Sequence, residues 1–358
     1  MKLFLTELLT IGTIVMTATV PALAGGFSNT GKMNIARFGQ NAWLLANGEV
    51  LVLGGANSLA AEQSAELYNP ATGKWTLIGN PDPAGLFGYE AVLLPDGDVL
   101  VAGGSFLGSA GQATNGAALF NPSTGTWTPT GSMNVARNGF MLFVLPNGKV
   151  LAAGGDSNFS QPATAELYDP ATGTWTPTGS LPGSYDGYEA VLLGDGKVLA
   201  VVAEITGSVF LLYDPATGVW TPTTSSPPVR AGLIGLLPDG LAWGPDEIYD
   251  PSTAQWTTFA LPTSRGGFAI LATGQALAAG GTFEVNARPY PIEETLKTAQ
   301  LWDPSTLAWT STGDMNVSRT GQLMILLSNG QVLVAGGQTF SKSVGHLVPT
   351  ATAELYTP

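Results

Sequence analysis

From residue 27 onward the chain is a succession of short apolar runs cut by Gly, Pro, Asn and Asp. One stretch reads Val92-Leu93-Leu94-Pro95-Asp96-Gly97-Asp98-Val99-Leu100-Val101-Ala102-Gly103-Gly104, and Leu145 to Gly155 repeats its pattern. Asp-Gly or Asn-Gly between two apolar runs predicts a tight hairpin, because both turn residues must accept positive φ. A second module follows, as in Ala65-Glu66-Leu67-Tyr68-Asn69-Pro70-Ala71-Thr72-Gly73-Lys74-Trp75. Its Asx side chain caps a turn, Pro presets φ and Gly takes the left-handed position. Each unit is thereby expected to hold four strands and two tight hairpins.

The unit recurs. Its aromatic anchors are Tyr68, Phe120, Tyr168, Tyr213, Tyr249, Trp302 and Tyr356, spaced 36 to 54 residues apart. An apolar strand ending in Gly-Gly, followed by a Tyr and a Trp, resembles the kelch repeat over residues 27–358. The resemblance implies an all-β, kelch-type β-propeller, and the seven anchors make it seven-bladed. Repeat physics leads the same way, since four-stranded sheets bury both faces only by stacking on neighbouring copies. The seventh unit stops at Tyr356 without its Trp strand. Phe27-Ser28-Asn29-Thr30-Gly31-Lys32-Met33-Asn34-Ile35-Ala36-Arg37 aligns with Trp127 to Arg137, so the N-terminal strand is expected to complete the last blade. That closure leaves no open edge.

Residues 1–24 break the pattern. Lys2, an apolar stretch from Leu8 to Val20 and Ala22-Leu23-Ala24 read as a signal peptide ahead of a single domain spanning 25–358. A retained anchor is the alternative, although the apolar run is short for a membrane span. Cleavage implies a secreted, periplasmic or extracellular protein with no membrane insertion afterwards. The net charge of −13 argues against nucleic acid and anionic membranes as partners. Without cysteine there is no disulfide or thiolate site, and a single histidine, His346, excludes a multi-histidine metal centre. No cofactor is expected.

Candidate chemistry lies where the units depart from one another. The two hairpins of each blade share one face. The opposite face carries the blade connections and the loops after Gly-Gly, which vary: Ser105 to Gly116, Thr282 to Thr298 and Gln338 to Thr350 are long, whereas Glu204 to Ser208 and Gly244-Pro245-Asp246 are short. These lengths predict a groove that is low over blades 4 and 5. Arg37, Arg137, Arg265 and Arg319 stand at the entrances to blades 1, 3, 6 and 7, with Arg230 placed similarly in blade 5. They either read carboxylates of an anionic ligand or staple neighbouring blades, and their recurrence favours architecture. Tyr89-Glu90 and Tyr188-Glu189 begin blades 2 and 4 only, Val202-Ala203-Glu204 replaces Gly-Gly in blade 4, and Trp243 replaces it in blade 5. Glu90 and Glu189 are the candidate acid/base pair, against a structural hydrogen-bonding role. Tyr89, Tyr188 and Trp243 are candidate stacking surfaces, against plain packing.

Galactose-oxidase-like copper enzymes also carry kelch propellers, but their copper is held by two His and two Tyr, one cross-linked to Cys. This chain lacks those residues. Asn158-Phe159-Ser160 and Asn316-Val317-Ser318 match the glycosylation sequon. Two readings stay open. The leading one is a non-enzymatic extracellular binding or scaffolding propeller that holds a glycan or protein. The other is a carbohydrate-active lyase, hydrolase or epimerase acting on an acidic sugar.

Overall fold

The computed structural model describes residues 25–57, 64–78, 86–87, 89–106, 112–157, 160–185, 188–204, 207–223, 235–285 and 292–358. They form seven four-stranded antiparallel sheets arranged as the blades of a β-propeller. Blade 1 runs outward from the axis through Asn41–Leu44, Val50–Leu53, Ala65–Asn69 and Lys74–Leu77. The second strand of blade 1 is buried along its whole length, as are those of blades 2, 3, 6 and 7. That continuous burial explains runs such as Val-Leu-Val-Leu in place of alternation: both faces of each sheet are covered by neighbouring blades.

Blade 7 is built from both ends of the chain. Leu323–Leu326, Val332–Ala335 and Ala353–Thr357 supply three strands, and Gly26–Asn29 supplies the outermost. Its register sets Phe27 opposite Tyr356, with ring centroids 4.9 Å apart. Tyr68 and Trp75 of blade 1 meet at the same 4.9 Å, so Phe27 fills the place of the missing Trp. The closing strand expected from the alignment is present.

Three ties cross each regular blade boundary. The anchor Tyr hydroxyl meets a Thr of the incoming connection, as in Tyr68–Thr30 at 2.8 Å and Tyr168–Thr130 at 2.8 Å. The Trp indole donates to a Gly carbonyl of that connection, Trp75 to Gly31 at 2.6 Å and Trp175 to Gly131 at 2.8 Å. The third tie is a fully buried ion pair. Arg37 donates through Nη1 to the carbonyls of Gly54 and Ser64, and through Nη2 to Ser64 Oγ and Glu66. Glu66 also accepts the backbone N–H groups of Asn34 and Ile35 and the Asn34 amide. Arg137–Glu166 (3.1 Å) and Arg319–Glu354 (2.8 Å) repeat the arrangement in blades 3 and 7. The arginine's own carbonyl accepts from the second glycine of the preceding blade, Gly337 N–H to Arg37 O at 2.8 Å. A Cβ on Gly336 would lie 2.6 Å from that carbonyl, which is why Gly-Gly ends the second strand there.

Other boundaries meet the same need differently. In blade 6 Gln300 stands at the Glu66 position and accepts Thr263 N–H (2.7 Å) and Ser264 N–H (3.3 Å), while Ser264 Oγ binds the carbonyl and hydroxyl of Thr298. In blade 4 the pair becomes Tyr185 and Leu211, both buried in one apolar cluster. A buried charge pair is stabilising only when every partner is present, and removing one side leaves an uncompensated ion. Arg137→Ala is therefore expected to lose about 3–5 kcal/mol of stability in guanidinium unfolding. The double variant Arg137→Tyr/Glu166→Leu, which copies blade 4, is expected to recover most of that loss.

Candidate functional site

The loop-bearing face is uneven. Blades 6 and 7 each raise an extra hairpin after their second strand, Thr282–Val285 with Ile292–Thr295 and Gln338–Ser341 with His346–Pro349. The sequence predicts these segments as loops; instead each pairs through four matched positions. The hairpins lie side by side and are tied by Phe340 N–H to Thr295 Oγ1 at 3.1 Å, with Thr295 Oγ1 and Ser318 Oγ 2.8 Å apart. Phe283 and Val344 are 43 % and 54 % exposed on this wall. Next to it, blade 5 turns back at once: Gly244 N–H binds the Glu247 carbonyl at 2.9 Å. His346 is exposed on the wall, its Nδ1 2.9 Å from the Leu347 carbonyl.

The arginines expected at the blade entrances divide into two groups. Arg37, Arg137 and Arg319 are wholly buried in the staples, and their guanidinium groups offer nothing to a ligand. Arg265 is exposed and donates Nε–H to the Pro262 carbonyl at 2.9 Å. It does not take the staple position in blade 6, which Ser264 fills with a neutral hydroxyl. Arg230 and the signal-peptide segment 1–24 lie outside the described residues. Trp243 is fully buried against Phe268, Trp302 and Trp309, so its rings pack the boundary between blades 5 and 6 and face no ligand. Tyr89 is buried at the boundary of blades 1 and 2. Tyr188 and Glu204 are described through their backbone, paired with Val202 and Gly207. The Asn316 amide of one sequon is committed to Glu354 at 2.9 Å; Asn158 of the other lies outside the described residues.

Glu90 and Glu189 occupy equivalent places on the innermost strands of blades 2 and 4, paired with Ala102 and Val201. They serve different boundaries. Val92, two residues beyond Glu90, packs toward blade 3, whereas Val191, two beyond Glu189, packs toward blade 5. Burial alone pushes the Glu90 carboxyl up to about 7. Glu189 is exposed and acts on a different group, Glu247.

Glu247 is the residue that sequence reading passes over. It holds the Glu66 position in blade 5 and is fully buried, yet both its oxygens are without a hydrogen-bond partner. Burial, then Asp246 and Glu189, push its carboxyl up to about 8. Asp246 beside it is also raised by burial, with its own backbone hydrogen bond and Arg265 drawing it back down. The signal for Glu247 is present in the repeat: Glu precedes Leu/Ile-Tyr at 66, 166, 247 and 354. In the sequence, Pro227, Pro228 and Arg230 stand in register with Asn134, Val135 and Arg137, and segment 224–234 lies outside the described residues.

No family model and no curated protein sequence matches this chain. Solved structures do. One is a fungal alcohol oxidase of the AA5 family in complex with copper, 19 % identical, covering 94 % of this chain and 76 % of its own, with a TM-score of 0.65. Another is YjhT, 17 % identical over 91 % of this chain and 96 % of its own, with a TM-score of 0.54. Both likenesses show the fold. Copper does not fit the residues present: there is one histidine and no cysteine, and among the described residues no group of three or more His, Cys, Asp or Glu is disposed to hold a metal. The chain is a seven-bladed β-propeller with galactose-oxidase-like structural neighbours.

The raised carboxyls carry a pH signature. Each binds its proton more tightly folded than unfolded, so its contribution is complete below about pH 4.5 and is lost as pH rises, through about 7 for Glu90 and about 8 for Glu247. Glu247→Gln is expected to gain on the order of 2 kcal/mol relative to the unmodified chain between pH 5 and pH 9. Glu90→Gln makes most of its gain below pH 7.5. Denaturant unfolding at each pH measures both.

Proposed function

We propose that this chain is an extracellular binding and scaffolding propeller of the kelch type that holds a glycan or protein on its loop-bearing face, without turnover. The observation that carries the reading is the pair of hairpins on blades 6 and 7, tied to each other and standing beside the abrupt turn of the neighbouring blade 5. Variable segments on a rigid scaffold are where recognition resides. A braced wall with an exposed aromatic, dropping to a low step at the neighbouring blade 5, fits a ligand laid against its side. Burial of three of the entrance arginines inside staples weighs against an arginine ring that grips an acidic sugar.

A second reading, a carbohydrate-active enzyme, is favoured by one observation. Glu90 sits on an innermost strand with its carboxyl raised to about 7, the range suited to a general acid or base. A glycan array and polysaccharide panel applied to residues 25–358, with product analysis of every hit, separates the two. Saturable binding without product, weakened about tenfold in Phe283→Ala, is the expected result. Product formation that disappears in Glu90→Gln would replace the binding reading with the enzymatic one.

A further inference from the structure

One arginine on the loop-bearing face is not taken up by the architecture. Arg265 stands two residues before the inner strand Gly267–Ile270, a place held by Gly39, Gly139 and Gly321 before the inner strands of blades 1, 3 and 7. A Cβ at any of those glycines would meet nothing within 4 Å, so those blades leave the spot bare. Blade 6 puts an exposed guanidinium there. Its Nε donates to the Pro262 carbonyl at 2.9 Å, and among the described residues neither Nη has a hydrogen-bond partner. Two groups of different chemistry stand beside it. Asp246 alternates with Glu247, so it points the same way as Ile248, which packs toward blade 6. Its half-buried carboxyl lies within electrostatic reach of Arg265 without closing an ion pair with it. The hairpin of blade 6 springs from the same point. A Cβ on Gly281 would lie 3.0 Å from Arg265 N, and Phe283, two residues on, is 43 % exposed.

We infer that Arg265, Asp246 and Phe283 form a subsite for one neutral sugar residue of a glycan, recognised through two adjacent hydroxyl groups. The inference rests on the binding reading above and chooses glycan over protein. A guanidinium only donates and a carboxylate only accepts, whereas a hydroxyl does both. Neighbouring hydroxyls can therefore bridge the gap between the two side chains, one accepting from an Arg265 Nη and the other donating to Asp246. The apolar C–H face of the ring then covers Phe283, which is otherwise left in water. Charge decides against an acidic sugar. Its carboxylate would gain Arg265 but stand in the field of Asp246, and Glu294, paired across the hairpin from Phe283, adds a second repulsion. A trans peptide unit points its N–H and C=O in opposite directions, so it cannot serve two neighbouring groups as adjacent hydroxyls can.

The test is titration calorimetry of residues 25–358 with neutral hexaoses of glucose, mannose and galactose, with hexagalacturonate, and with an extended peptide of mixed sequence. The expected result is binding of at least one neutral hexaose, with hexagalacturonate about tenfold weaker or more. Arg265→Gln, Asp246→Asn and Phe283→Ala each weaken the neutral hexaose about tenfold. Arg265→Lys recovers little, because an ammonium lacks the fork, and the O-methylated hexaose does not bind. Asp195→Asn on the hairpin face leaves the affinity unchanged. Unfolding midpoints that stay at the parental value assign the losses to the site and not to the fold. Hexagalacturonate binding as tightly as the neutral hexaose would overturn the subsite while leaving the binding reading intact. So would a neutral hexaose indifferent to Arg265→Gln and Asp246→Asn, or binding of the peptide alone. A blank on every probe would remove both.

Discussion

The structure depends on how each blade receives the chain arriving from the one before it. A four-stranded sheet cannot bury both faces alone, so every boundary must join two sheets while satisfying the polar backbone of the segment that crosses between them. The acceptor position on the third strand does this work. In blades 1, 3 and 7 it is a Glu that takes backbone N–H groups, an Asn amide and a guanidinium, and the guanidinium in turn ties down carbonyls of the same blade. The carboxylate and arginine are distant in the chain, yet neither is acceptable in the core without the other.

Seen this way, differences among the boundaries are alternative solutions to one requirement. Blade 6 uses an amide and a serine, and blade 4 a tyrosine and a leucine. In both, the residues that replace Arg and Glu change together, as expected when one ion cannot be left behind. Similar matching runs along the hairpin face. Glu49 meets Asn69, Asp98 meets Asn121 and Lys149 meets Asp169, so acidic residues there are paired with an amide and the basic one with a carboxylate. Among the described residues, blade 5 departs from this matching, since the buried Glu247 carboxyl has no hydrogen-bond partner.

Much of the architecture was legible in the sequence because it rests on local rules. Asx-Gly turns, Asn/Asp-Pro-x-Thr-Gly turns and wholly apolar second strands each announce themselves within a dozen residues, and the Phe27 alignment revealed the closing strand. The candidate site was less legible because it depends on register across boundaries. Arg265 looks equivalent to Arg137, but the connection into blade 6 is shorter and Ser264 arrives at the staple first. Trp243 looks like an exposed novelty, yet strand alternation turns it into the next blade. Glu247 hides for the opposite reason: it conforms to its own motif, and only its burial without a hydrogen-bond partner sets it apart.

The strand that closes blade 7 also has a temporal meaning. Gly26 pairs with Thr357, so the outer edge of that blade joins stretches separated by nearly the whole length of the chain. Six blades can assemble from neighbouring segments as they emerge, but the ring is sealed by the contact with the greatest sequence separation, whose loop entropy must be met last. Until then the third strand of blade 7 presents an unpaired edge that any extended segment can occupy. Folding of this molecule thus has a defined final step, and the fidelity of that step decides whether the product is a closed monomeric ring or one joined to a neighbour through a borrowed strand.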